Sequence, residues 1–404
     1  MRTLLTGATL IDGSAGDAQP NAAVLIDGER IAGVGRAEAV PANWAADQVL
    51  DVKGRFIIPG MFNLHDHVYR KDIRNVRPGW TYDQHSRDIE RQNDNYLVLS
   101  AARHGLDSLR SGVTTIRNVG SRSNLMVSLK RAINQGLVTG PRLKVAVRPI
   151  VMTGGHGYYI GRQADGPDEV RKATREQLRD GADFIKLIVT GGILGMPKEH
   201  PGNPQLTVDE IRAAVDVAHD AGKRTTAHAD ATAGIRNAIE AGIDCIEHGT
   251  FLDDETIDLM LMHNIPLVPT LSGKRGYAEY HLPANREFYE LVYREGIAPQ
   301  IASVRKAYEA GVKIGVGTDT ATLVADELDD LIKTGMSPRE CIVAATSVSA
   351  EIVGMEGEVG TIEPGKLADL VVLKQDPWKD IAAVRQVDFV LKGGAMIRAD
   401  DPIL

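Results

Sequence analysis

Eight short, largely apolar runs, separated by amphipathic helical stretches, occupy residues 55 to about 355 and leave few architectures open. In order they are FIIPGMFNLHDH, GVTTIRNVG, RLKVAVRPIV, DFIKLIV, RTTAHAD, DCIEHG, IPLVPTL and VKIGVGTD. Their texture is that of strands buried on both faces of a parallel sheet. Between them lie helical patterns: NLMVSLKRAINQG, PDEVRKATREQLRDG, TVDEIRAAVDVAHDAG, TAGIRNAIEAG, DDETIDLMLMHN, a long stretch reaching about Ala310, and SPRECIVAATSVSAEIVG. Thr207, Asp253 and Ser337 precede acidic first turns and read as N-caps. An α/β chain with this alternation predicts a (β/α)8 or TIM barrel. An open doubly wound sheet is the alternative, but the Gly-rich phosphate fingerprint expected after its first strand is absent.

The two ends of the chain have a different texture. Residues 1–54 alternate apolar and polar residues around Asp-Gly turns, and residues 356–404 do the same in GTIEPGKLADLVVLKQD and VRQVDFVLKGGAMI. The expectation is a small β-sandwich domain assembled from both termini (1–54 and 356–404), with the barrel (55–355) inserted between them.

Composition narrows the partners. A formal charge of -8 and no run of Lys and Arg argue against nucleic acid. No apolar segment is long enough to span a bilayer, and MRTLLTGATLIDGSAGD does not read as a signal peptide. Two cysteines, Cys245 and Cys341, fit a reducing, cytoplasmic setting without disulfides, and both read as small buried hydrophobes.

Polar residues at the ends of the apolar runs point to chemistry. His65 and His67 are two apart in a strand and share a face, with Asp66 on the other. His228, His248 and Asp319 end later runs, and a barrel gathers such positions at one rim. Neutral imidazoles suit Zn²⁺ and similar ions. A lone His-x-His is as readily a chance pair, so the weight comes from the whole set. Lys186 is the most diagnostic member. It lies within Phe184-Ile185-Lys186-Leu187-Ile188, where a bare ammonium would suffer a large desolvation cost. Reaction of the neutral amine with CO₂ would turn it into a carbamate, an anionic oxygen ligand able to bridge two metal ions. A Lys paired with a buried acid or reaching the rim is the plainer reading.

These motifs resemble the amidohydrolase superfamily, in particular its branch of imidazolonepropionase-like proteins, Xaa-Pro and Xaa-Arg dipeptidases and ochratoxinase-like amidases. The resemblance runs through PGMFNLHDH, GVTTIRNVG, VMTGGHG, GADFIKLIVTGG, TAHA, IEHGT, GTD and GTIEPGKLADLVVL in that order. Asn63 and Asn118 stand where Asp is usual. The resemblance implies that His65, His67 and Asp319 bind one of two divalent ions, His228 and His248 the other, and that carboxylated Lys186 bridges them. It implies Zn²⁺ at both positions, a small-molecule substrate and a homo-oligomer.

The chemistry that follows is hydrolysis of an amide-type C–N bond by a metal-activated hydroxide, with Asp319 carrying the proton from water to the leaving nitrogen. Asp319 as a simple helix cap is the plainer alternative. The resemblance also makes His156, in the Gly-rich loop MTGGHG, a substrate residue holding the carbonyl; an exposed loop histidine is the other reading. Tyr158, Tyr159, Arg70, Lys71, Lys274 and Arg275 fall in or near rim loops, where cations could receive a substrate carboxylate. Asp230 stands where several dipeptidases of the branch carry a substrate-contacting Tyr. As an anion it would repel a carboxylate, which favours a neutral amide, carbamate, urea or lactone-like substrate. A one-metal deaminase would need a Glu after His228 that is missing here and would leave Lys186 idle. A catalytically inactive scaffold would be expected to have lost ligands, and all six are retained.

Overall fold

The computed structural model describes residues 1–70, 82–196, 199–281, 285–319 and 322–398. Lys71 and the side chain of Arg70, two of the rim cations expected from sequence, lie outside the described residues.

Both chain ends enter one eight-stranded sheet. Its path runs Ala395–Arg398, Val387–Lys392, Leu370–Leu373, Phe56–Pro59, Arg2–Leu10, Gln19–Asp27, Arg30–Arg36, and Gln48–Asp51 pairs with the edge of Arg2–Leu10 left free beside Phe56–Pro59. The Asp27-Gly28 signal is a hairpin, with Gly28 at φ +58° and Asp27 paired to Arg30. Leu5, Leu10, Val24, Ile26, Ile57, Leu370 and Val372 pack as its apolar core. Phe56–Pro59 pairs with both Arg2–Leu10 and Leu370–Leu373, so the chain leaves this sheet directly into the first run of the middle portion.

The middle alternates parallel strands and helices, as expected. Met61–Asp66, Val113–Asn118 and Arg142–Val145 form one parallel sheet. Ile150–Val151, Phe184–Ile188, Arg224–Ala231, Ile246–Phe251 and Leu267–Val268 lie side by side in a second, with Arg162–Gln163 at its edge. The eighth run, VKIGVGTD, is not a regular strand. It touches Leu267 through Ile314 and Asp66 through Asp319 as isolated parallel bridges, and Leu64 N–H donates to Val316 O (2.7 Å). The physical reason is close approach: a Cβ on Gly317 would lie 2.7 Å from His65 Cβ and 2.8 Å from His65 N. Glycine lets this backbone press onto the first strand where a side chain would hold it off.

Thr207, Asp253 and Ser337 are N-caps, and each closes a reciprocal capping box with Glu210, Thr256 and Glu340. The long helical stretch is three pieces, Leu271–His281, Arg286–Val292 and Ala298–Ala310, with a π-turn at Tyr293–Ile297 before the last. Helices Asp94–Arg110 and Val324–Lys333 were not expected from sequence. No helix among the described residues is long and apolar enough to cross a membrane.

Candidate metal centre

The side chains singled out at strand ends converge. His65 leaves the first strand with its carbonyl accepting N–H bonds from both Thr318 (3.0 Å) and Asp319 (2.7 Å), which docks the eighth run beside it. Asp319 Oδ1 then sits 3.6 Å from His65 Nε2 and 3.6 Å from His67 Nε2. One ligand atom each from His65, His248 and Asp319 all fall within 4.8 Å of one another. The His228 ring lies 4.6 Å from that of His248, and His65 lies 4.8 Å from His248. Both Asp319 (φ +62°) and His248 (φ +74°) hold left-handed backbone, a conformation that costs energy for non-glycine residues and that packing must sustain.

Three histidines are tied back through Nδ1, which leaves Nε2 for the centre. His65 Nδ1 bonds Glu247 Oε2 (2.7 Å), His67 Nδ1 bonds Gly120 O (2.8 Å), and His248 Nδ1 bonds Thr270 Oγ1 (2.7 Å). Such tethers fix ring orientation for a metal. His228 is different: its Nε2 lies 3.2 Å from Gly191 O and 3.4 Å from Asp230 Oδ2. Burial first, and then neighbouring histidines, push His228 and His248 well below the usual imidazole range. They are therefore neutral and competent as ligands.

Glu247, fully buried, was not recognised from sequence. Strict alternation sets Glu247 and His248 on opposite faces, yet both face His65, because the left-handed backbone at His248 breaks the alternation. Arg117 Nη2 pairs with Glu247 Oε1 at 2.5 Å, and Thr226 Oγ1 donates to the same oxygen. Burial pushes the Glu247 carboxyl up, but Arg117, His65 and Lys186 outweigh it and hold it well below the carboxylate range. The available signal was a pair of opposite charges, Arg117 in GVTTIRNVG and Glu247 in DCIEHG, both inside runs too apolar to hold either alone.

Lys186 is 2% exposed in the strand Phe184–Ile188, and its Nζ has no hydrogen-bond partner among the described residues. Burial, only partly offset by Glu247, brings its amine down to about 8. The plainer alternative, a Lys hydrogen-bonded to a buried acid, is not what the contacts among the described residues give. An amine more readily deprotonated than an ordinary lysine, the imidazoles and the Asp319 carboxylate are together donors a borderline divalent cation takes. On that chemistry, and on the orphaned Nζ, the residues present fit a metal centre.

The cavity over this cluster is about 70 Å³ and is lined by His65, His67, His156, Tyr159, Lys186, His228, Asp230, His248, Lys274 and Asp319. His156 stacks on His228 at 4.6 Å, with Nδ1 bonded to Glu199 Oε1 (2.6 Å) and its own N–H donated to Gln205 (2.9 Å). A Cβ at Gly192 would lie 2.3 Å from the His156 ring, so that glycine makes the room. Tyr159 lines the cavity, whereas Tyr158 packs edge-on against Tyr159 and against the core.

One expectation about charge is corrected, and Asp230, expected as an anion, gains a cation partner. Lys274 is not a solvated rim cation: it is 4% exposed and donates to Asp230 Oδ1 (2.6 Å) and Thr250 Oγ1 (2.5 Å). Asp230 is consequently not a bare anion. Burial raises its carboxyl, but Lys274 and His228 bring it below the ordinary value. Arg275 turns away from the cavity, to Asp330 (2.8 Å) and Glu279 (3.0 Å).

Comparison with known proteins agrees with the resemblance seen in the motifs. The sequence model of the amidohydrolase family matches residues 56–397. Ochratoxinase from Aspergillus niger is 28% identical over 98% of this chain and 86% of its own length. A crystal structure of a Xaa-Pro dipeptidase with methionine bound in its active site superposes with a TM-score of 0.87 at 32% identity, covering 98% of this chain and 100% of that one. A prolidase complexed with N-methylphosphonate-L-proline gives 0.88 at 30% identity, with the same coverage.

Proposed function

We propose, from the premise that the chain belongs to the amidohydrolase family, that it is a binuclear metal-dependent hydrolase of an amide-type C–N bond in a small molecule. The observation that carries this reading is Lys186 Nζ, buried and without a hydrogen-bond partner among the described residues, beneath the histidines and Asp319. A one-metal deaminase leaves that amine with no task. In the reading proposed here the neutral amine attacks CO₂, an N–C bond forms and a proton departs, which leaves a carbamate.

His65, His67 and Asp319 would hold one ion, His228 and His248 the other, and the Lys186 carbamate both. When bound, a Zn²⁺ pair polarises the scissile carbonyl and lowers the pKa of an attacking water. Asp319 accepts the proton that water loses and returns it to the departing nitrogen, a double task open to a carboxylate at that position. His156, held by Glu199, orients the substrate carbonyl oxygen. The architecture proposed for this work is a (β/α)8 barrel over residues 55–355 with a β-sandwich from 1–54 and 356–404. Pairings that pass from Leu267 through residues 314–319 back to the first strand support the barrel.

The test is a panel of N-acyl amino acids, dipeptides, carbamates and ureas on Zn²⁺-replete protein grown with bicarbonate, beside Lys186→Ala. Hydrolysis of at least one class, with the variant reduced about 1,000-fold or more as expected when a bridging ligand is lost, supports the reading. A variant retaining full activity on a substrate the parent cleaves refutes it.

A further inference from the structure

Strand geometry builds a second tier of polar groups above the metal-facing one. Residues i and i+2 of a strand share a face. Asp230 therefore follows His228 one step nearer the mouth, on the strand Arg224–Ala231. Thr250, on the strand Ile246–Phe251 past the left-handed residues His248 and Gly249, is placed beside Asp230 by its contacts rather than by alternation, and Lys274 enters from the first turn of the helix Leu271–His281. The three meet. Lys274 Nζ lies 2.6 Å from Asp230 Oδ1 and 2.5 Å from Thr250 Oγ1, and Thr250 Oγ1 itself donates to Asp230 Oδ1. Asp230 and Thr250 are 0% exposed.

Two bonding capacities remain. An ammonium has three N–H donors, and among the described residues two are used. Asp230 Oδ2, with His228 Nε2 at 3.4 Å, has no hydrogen-bond partner among the described residues, and both Asp230 and Lys274 line the cavity. We propose, on the metal-hydrolase reading of this same site, that Asp230 and Lys274 are specificity residues that read a neutral donor–acceptor group of the substrate, such as a carboxamide or carbamoyl, in place of a free carboxylate or ammonium. The substrate carbonyl accepts the third N–H of Lys274, and its N–H donates to Asp230 Oδ2. A carboxylate meets the unpaired Oδ2 with like charge, and an ammonium meets Lys274 with like charge. Only a neutral group bearing both a donor and an acceptor satisfies the tier without leaving a buried polar atom unpaired.

The experiment uses the full Zn²⁺-loaded chain and two matched probes, N-acetylglycinamide and N-acetylglycine. Binding is read by the shift in melting temperature across a titration of each. The amide is expected to bind at least about 10-fold more tightly than the acid. In Asp230→Asn, which unmasks the Lys274 charge, the preference is expected to move toward the acid by about 10-fold or more. The double variant Asp230→Asn/Lys274→Gln keeps shape while removing both charges, and serves if the single variant does not fold; its preference is expected to fall to within about twofold. Failure of the parent to bind either probe, a parent preference for the acid, or a ratio unchanged in both variants overturns the proposal. Hydrolysis and bound zinc are scored separately on the same samples. A preference that shifts as stated in protein holding less than two ions counts against the hydrolase reading and for the recognition tier.

Discussion

Single side chains divide into those legible in sequence and those hidden by backbone conformation. His65, His67, Lys186, His228, His248 and Asp319 were legible because each is a polar residue at the end of, or inside, an apolar run, where only a shared purpose offsets its desolvation. Glu247 was not, because positive φ at His248 puts two adjacent residues on one centre. Glu247 is a positioning residue acting through His65. Glu247→Gln is expected to weaken metal retention by about 10- to 100-fold in a chelator competition. It also strands Arg117, so stability falls as well. Glu247→Gln combined with Arg117→Met separates the two effects: the melting temperature recovers while metal affinity does not. Recovery of both would assign Glu247 to stability alone. The Lys274–Asp230 pair was hidden for another reason, since nothing local in LSGKRG or TAHAD says that these two charges meet.

Elements were legible where periodicity and caps coincide, and lost where a segment is polar or its backbone irregular. The helix after Thr207 declares itself by Thr-x-x-Glu and an apolar face. The helix Asp94–Arg110 follows a polar stretch, and the run VKIGVGTD reads as a strand although its glycines let it press too closely for regular pairing. One helix depends on a buried acid. The N–H groups of Leu271 and Ser272, at the start of Leu271–His281, donate to the two oxygens of Glu327 at 2.9 and 2.7 Å. That helix carries Lys274 and follows Thr270, the tether of His248. Burial raises the Glu327 carboxyl from 4.5 to about 8. A group whose pKa is raised on folding contributes stability that is full below its unfolded value and lost as pH climbs through its folded value. Glu327 therefore subtracts stability progressively between about pH 4.5 and pH 8. Glu327→Gln, neutral throughout, is expected to flatten that part of a denaturant-unfolding profile measured across the range. A variant profile parallel to the parent's would show that Glu327 does not titrate there.

For the whole molecule, the order of motifs along the chain carried more than any motif alone. Runs dispersed from residue 65 to residue 319 are brought within a few ångströms by parallel pairing, and the two chain ends are joined through Phe56–Pro59 and Leu370–Leu373. Which strands pair across the two ends depends on long-range register, which local pattern does not encode. Metal binding at such a centre links several strand ends at once, so its removal is expected to lower the melting temperature of the entire chain. A pair of cations bridged by carboxylated Lys186, as proposed for this centre, can be counted by elemental analysis together with native mass spectrometry on protein purified without chelator and supplied with bicarbonate. About two divalent ions and one added CO₂ per chain are expected, with both the CO₂ and the second ion lost in Lys186→Ala. About one ion per chain, no CO₂, and the same content in the variant would contradict that proposal.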